Sequence, residues 1–116
     1  MTPTQRDMVR FRVLQALQNN PHASQRELSK LLGVSLGSVN YCIKAFIDKG
    51  LIKVENFINS EHKKGYMYNI TPSGLVEKTK ITAEYLQRKR QEYRLLQEEI
   101  QELQQVLQDE QNDKIR

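Results

Sequence analysis

A lone cysteine, Cys42, rules out disulfide scaffolding within one chain. Histidine is nearly as scarce, with only His22 and His62, and no cluster of Cys, His, Asp and Glu has metal-ligand spacing. Neither a structural metal nor a cofactor is therefore expected. No apolar run approaches the roughly 20 residues of a membrane span, and no hydrophobic segment after Met1 resembles a signal peptide. These absences together predict a cytoplasmic protein with no membrane partner. Catalytic signatures are missing as well. There is no phosphate-binding glycine loop, and nothing sets a nucleophile beside a base, so no enzyme is expected.

What is present is charge, unevenly placed. The net charge is +4 with a pI near 9.3. Residues 1–50 hold seven Lys or Arg against three acids, and residues 78–94 hold six against two. Residues 95–113 hold six acids and no Lys or Arg. A basic domain followed by an acidic tail predicts a polyanion partner at one end and a protein partner at the other. The 116-residue length suits one compact domain plus an extension.

The most informative stretch is residues 24–51, SQRELSKLLGVSLGSVNYCIKAFIDKGL. It reads as two short amphipathic helices joined by a tight turn containing glycine, the arrangement that presents a second helix to the DNA major groove. Ser24 and Glu27 predict a capping box on the first helix, whose apolar stripe is Leu28, Leu31 and Leu32. Gly33 sits where a left-handed residue ends that helix. Ser35 caps the second, with an apolar stripe of Leu36, Val39, Ile43, Phe46 and Ile47, and Gly50 ends it.

Ahead of this pair, Thr2-Pro3-Thr4 opens a helix with Val9, Val13, Ala16 and Leu17 at helical spacing, stopped by Asn19-Asn20-Pro21. Behind it, Leu51–Phe57 and Tyr66–Thr71 read as strands around a polar loop, residues 59–65. Two strands around a basic loop after a helix-turn-helix make a wing. Thr71-Pro72 starts a last helix that can run to about residue 110, a rod of roughly 60 Å at 1.5 Å per residue. Within it, Leu86, Tyr93, Ile100 and Leu107 recur every seven residues as a positions, and Leu96 and Leu103 as d positions. Lys89 interrupts the d series. The predicted architecture is mainly α with a β-hairpin wing: a winged helix-turn-helix over residues 1–76, then a long C-terminal helix, residues 77–116, that dimerises as a coiled coil. The opposed charges of its two ends favour an antiparallel pair.

The segments LGVSLGSVNYCIKAFIDKGLI and YMYNITPSG, in this order after the first helix, resemble winged-helix bacterial regulators of the MarR type. The likeness covers residues 5–76. The short length and glutamine-rich tail resemble a small subfamily associated with exopolysaccharide gene clusters. The resemblance implies a homodimeric transcriptional regulator, a repressor rather than an activator, on a pseudo-palindromic operator in double-stranded DNA. Typical wings carry arginines, whereas this one offers His62, Lys63 and Lys64. Whether a small-molecule effector exists is left open.

Turning the recognition helix in 100° steps with its apolar stripe inward leaves Gly37, Tyr41, Lys44 and Asp48 outward, flanked by Ser38 and Asn40. Ser35, Gly37, Ser38, Asn40, Tyr41 and Lys44 are thus the expected DNA-binding residues of that helix. Small side chains at 37 and 38 let the backbone approach base edges. Lys63 and Lys64 are the expected phosphate or minor-groove contacts of the wing. Arg6, Arg10, Arg26 and Lys30 are further candidates for backbone phosphate. The expected dimerisation residues are Leu86, Tyr93, Leu96, Ile100, Leu103 and Leu107. Cys42 is expected in the core, as a small hydrophobe rather than a redox switch. The competing reading is a protein-interaction adaptor that uses the coiled coil, since fold alone does not fix function.

Overall fold

The computed structural model describes residues 2–58 and 64–115. The elements are α1 (Pro3–Asn19), α2 (Gln25–Leu32), α3 (Leu36–Asp48), β1 (Ile52–Ile58), β2 (Lys64–Ile70) and α4 (Pro72–Ile115). The two strands pair antiparallel, with Ile52 opposite Ile70, Val54 opposite Tyr68 and Ile58 opposite Lys64. The second strand begins earlier than the composition of residues 59–65 suggests. Its first two residues, Lys64 and Gly65, extend the ladder because register with β1 outweighs their weak strand propensity. The last helix likewise runs past residue 110 to Ile115. No Pro or Gly after Gly74 interrupts it.

Residues 1–85 form one compact unit and residues 86–116 a second. The core of the first gathers Val9, Val13, Leu14 and Leu17 of α1, Leu28 of α2, Val39, Cys42, Ile43 and Phe46 of α3, Leu51, Ile52, Tyr68, and Ile81 of α4. On α1 and α3 these recur at helical spacing, so each of those two helices turns one stripe inward, while α2 and α4 contribute a single residue each. The polypeptide places α1 behind the helix-turn-helix pair and the hairpin beside it.

Helix ends are fixed by local chemistry. Gly33, at φ 66°, ends α2, and the Val34 amide bonds the Ser29 carbonyl at 3.2 Å. The Ser29 hydroxyl in turn donates to the Val34 carbonyl at 2.6 Å, closing the turn. At the end of α3, Lys49 is the cap and Gly50 takes φ 72°. The amide of Leu51 bonds the Phe46 carbonyl at 2.8 Å, and that of Gly50 bonds the Ile47 carbonyl at 2.9 Å. That pair of bonds is a Schellman motif, and its two hydrophobic partners, Phe46 and Leu51, are both buried.

Two local expectations are corrected. Ser24 accepts from the Glu27 amide at 3.1 Å, but Glu27 returns no bond to Ser24, so the full capping box does not form there. It forms instead at α1, where Thr2 and Gln5 bond reciprocally at 3.1 and 2.9 Å. The apolar stripes are also narrower than their sequence. Leu31 is 74% exposed, Leu36 43% and Ile47 36%, because α2 and α3 present Leu28 and the Val39, Cys42, Ile43 and Phe46 row squarely to the core.

Gly74 explains the start of α4. A Cβ there would lie 2.1 Å from the Leu51 carbonyl oxygen and 2.7 Å from Ile70 Cγ2. Three residues earlier, the Thr71 hydroxyl accepts from the Gly74 amide at 3.0 Å and donates to the Gly50 carbonyl at 2.7 Å. The Thr71 amide bonds the Leu51 carbonyl at 3.0 Å. Thr-x-x-Gly therefore caps α4 and bolts it to the end of α3 at once. Beyond this root, Glu77 approaches Arg10 at 3.9 Å, Lys78 bonds Gln18, and Tyr85 meets Phe11 at a centroid distance of 5.7 Å.

Candidate nucleic-acid interface

The outward side of α3 is fixed by its inward side. With Val39, Cys42, Ile43 and Phe46 buried, Ser35, Gly37, Asn40, Tyr41 and Lys44 are exposed and Ser38 is half-buried. Tyr41 is 78% exposed, a large aromatic ring held off the domain by the helix that carries it. The Ser35 hydroxyl accepts from the Ser38 amide at 3.1 Å and donates to the Ser38 hydroxyl at 2.8 Å, so the N-terminal turn of α3 is preformed. A Cβ at Gly37 would meet nothing within 4 Å. The fold therefore places no demand for glycine there, in contrast to Gly74.

Two open grooves flank α3. One, of about 750 Å³, lies toward α1 and carries Arg6, Arg10 and Lys49 beside Tyr41. The other, of about 730 Å³, lies toward the start of α2 and the hairpin and carries His22 and Arg26 beside Asn40 and Tyr66. Cations therefore border the exposed face on both sides, as attraction of a polyanion requires. Arg6 and Arg10 of the sequence candidates fall in the first groove and Arg26 in the second, while Lys30 is exposed on α2 and lines neither. Lys63 and the side chain of Lys64 lie outside the described residues.

One functional candidate was invisible to the helical wheel. Gln25, the first residue of α2, accepts from Asn40 Nδ2 at 3.0 Å and donates from Nε2 to the Tyr68 hydroxyl at 3.3 Å. The link joins residues 15 and 43 positions apart, which no local pattern encodes.

Cys42 is 5% exposed within the core. Burial pushes its thiol up to about 12, against a weaker opposing pull from Arg10. It is held neutral and unreactive at ordinary pH.

In the second unit, Leu86, Tyr93, Leu96, Ile100, Leu103 and Leu107 all lie exposed, between 45% and 63%. Val106, beside the seam, and Leu95, off it, are exposed too and add to the apolar surface. The Tyr93 hydroxyl accepts from Gln97 Nε2 at 3.1 Å. Among the described residues no group of three metal-ligating side chains occurs, and no helix is long and apolar enough to cross a membrane.

Residues 6–53 match the family model described as winged helix-turn-helix DNA-binding. Helix, helix-turn-helix, hairpin and following helix give the chain a winged helix-turn-helix domain. Solved structures carry the comparison further. TA0346 of Thermoplasma acidophilum, assigned as a transcriptional regulator, is 21% identical with a TM-score of 0.61, over 76% of this chain and 90% of that one. A MarR/EmrR family transcriptional regulator from Acinetobacter sp. ADP1 is 25% identical with a TM-score of 0.51, over 71% of this chain and 56% of its own. A transcriptional regulator homologue from Pyrococcus horikoshii OT3 is 20% identical with a TM-score of 0.53, over 72% and 80%. The chain thus spans little more than half of the Acinetobacter regulator. The fold is that of MarR-family transcriptional regulators. No curated protein matches the sequence.

Proposed function

We propose that this chain is a sequence-specific DNA-binding transcriptional regulator, a repressor, acting in the cytoplasm as a homodimer on a pseudo-palindromic operator. Residues 1–76 read DNA and residues 77–116 pair the subunits. The observation that carries the reading is the outward face of α3. It is exposed, bordered by cations, and built from Ser35, Gly37, Ser38, Asn40, Tyr41 and Lys44. Base edges are read by such short polar and aromatic side chains, while Lys44 and the wing lysines, Lys63 and Lys64, meet phosphate. Glycine at 37 serves an approaching surface rather than the fold, since its Cβ position is empty. No step of this function is catalytic.

The dimer uses the seam Leu86, Tyr93, Leu96, Ile100, Leu103 and Leu107, exposed in the single chain. A parallel pair would set Lys89 against its counterpart at a d position and bring the acidic ends together. An antiparallel pair relieves both, facing each Lys89 toward the acidic end of the other helix. The favoured arrangement is antiparallel.

Joint substitution of Asn40→Ala and Tyr41→Ala tests the reading. Both side chains are exposed, so the fold is expected to survive. Each lost base contact is expected to weaken specific binding by about 1–3 kcal/mol. A folded double variant that still selects the wild-type sequence from random duplexes refutes the assignment. Gly37→Ala is the finer probe: it should leave the melting temperature unchanged or raised and lower operator affinity by crowding the base edges.

A further inference from the structure

Among the described residues, the Asn40 side chain ties the outer face of α3 to the rest of the domain. Asn40 donates from Nδ2 to Gln25 Oε1 at 3.0 Å, and Gln25 donates from Nε2 to the Tyr68 hydroxyl at 3.3 Å. The three residues come from α3, the first position of α2 and β2. The far end of the relay is firm. Tyr68 is 7% exposed, and its amide bonds the Pro21 carbonyl at 2.9 Å. Gln25 is half-buried, and Asn40 is exposed.

A carboxamide has one accepting end and one donating end. With its donating end on the phenol, Gln25 turns its accepting oxygen to α3. Asn40 must then offer Nδ2 to Gln25. Its Oδ1 and its second Nδ2 hydrogen are left for whatever approaches the helix. Among the described residues Asn40 makes no other side-chain hydrogen bond.

We propose that Gln25 is a positioning residue for base reading: it locks the Asn40 amide so that one acceptor and one donor face outward in a fixed order. This rests on the DNA-binding reading above. The ordered pair matches adenine in the major groove, whose N6 amino group donates and whose N7 accepts. An unrestrained Asn40 could rotate its amide and present the reverse order, at the cost of ordering it on each binding event. Gln25 itself touches no base in this scheme. It acts through Asn40, and Tyr68 acts through Gln25.

The test has one arm without DNA. In the free protein, side-chain amide relaxation of Asn40 is compared in wild type, Gln25→Ala and Gln25→Glu, with melting temperatures recorded to establish folding. A Glu at position 25 can accept from both Asn40 Nδ2 and the Tyr68 hydroxyl, so it keeps the lock, whereas Ala removes it. The Asn40 amide is expected to become mobile only in Gln25→Ala. Equal mobility in all three proteins overturns the lock, whatever the protein binds.

The second arm selects duplexes from a random pool. Gln25→Ala should relax the preference at one base pair per half-site, on the order of tenfold, with preferences elsewhere retained. Gln25→Glu should keep that preference while binding every duplex more weakly, because its charge repels phosphate. Uniform weakening by Gln25→Ala, or an unchanged preference at every position, overturns the positioning role. A wild-type protein that selects no sequence overturns the DNA-binding reading itself, an outcome separate from either of these.

Discussion

Residues 2–85 and residues 86–115 solve the problem of burying apolar surface in opposite ways. Every buried side chain among the described residues lies in the first region, the last being Ile81. From Leu86 to Lys114 every residue is exposed, including six leucine, isoleucine and tyrosine side chains of one heptad seam. The first region closes its core by itself, using three helices, a hairpin and the first turns of α4. The second leaves its apolar stripe exposed along the helix. An exposed apolar stripe of this regularity is what the proposed pairing of subunits would bury. The division also separates two electrostatic roles, since the cations border α3 while the outer part of α4 is acidic.

The largest way to break the comparison is to remove the second region. Ending the chain after residue 90 is expected to leave a cooperatively folded winged domain, because its core is complete by Ile81. The same truncation should abolish dimerisation and lower operator affinity on the order of 10²-fold or more, since a single half-site loses the effective-concentration gain of a linked pair. Ile100→Asp should separate the subunits without shortening the chain, because a carboxylate in the seam costs several kcal/mol when left unpaired. Light scattering at micromolar concentration decides it. A variant that stays dimeric places the interface elsewhere, with α1 the next element to test.

A smaller effect strikes the root of α4 within the first region. Gly74 belongs to α4 but is packed against the end of α3, with the Leu51 oxygen 2.1 Å from where a Cβ would sit. Backbone cannot retreat as a flexible side chain can. Gly74→Ala is expected to destabilise the first region by roughly 3 kcal/mol, as overpacking does where neither partner yields. Thermal unfolding of the winged domain should show the loss. The same substitution at Gly37, with nothing within 4 Å, should show none. Equal responses at the two positions would mean that α4 does not dock as described.

The two regions also differed in how far their sequence could be read. The helix-turn-helix was legible because its punctuation is local. Gly33 and Gly50 adopt positive φ where their spacing implied, and Ser24 and Ser35 cap where they stand. The long helix α4 was legible from its period and its lack of Pro and Gly, and the six heptad side chains lie exposed along it. Two kinds of feature failed: a local contact that nothing at the surface enforces, and contacts whose deciding partner is distant in sequence. Glu27 had the right spacing for a capping box, but at the surface its reach to Ser24 is not enforced, while Thr2 and Gln5 formed one unannounced. Leu31 has the spacing of a core residue, yet the neighbouring elements leave that side of α2 uncovered, at 74% exposure. Gln25 carried no signal at all, because its significance comes from Asn40 and Tyr68 meeting it in space.

The finest probe compares one thiol in each region. Cys42 is buried in the first, with its thiol pushed from 9.0 up to about 12 by loss of hydration. A cysteine placed at exposed Gln105, in a Cys42→Ala background, reports the second. Since the thiolate is the reacting form, alkylation of Cys42 near pH 8 is expected to be roughly 10²-fold slower or more than that of the introduced cysteine. Denaturant should erase the difference. The same shift predicts a pH dependence with a definite sign. Below pH 9.0 the thiol is protonated in folded and unfolded chains alike, and it contributes no slope. Between pH 9.0 and about 12 the unfolded chain releases this proton and the folded one retains it. Stability therefore falls with rising pH across that window. Other groups titrate there too, so the quantity to measure is the difference in slope between wild type and Cys42→Ala under urea. Parallel stability curves for the two proteins, or rapid native alkylation, would place Cys42 in water and remove it from the core that distinguishes the first region from the second.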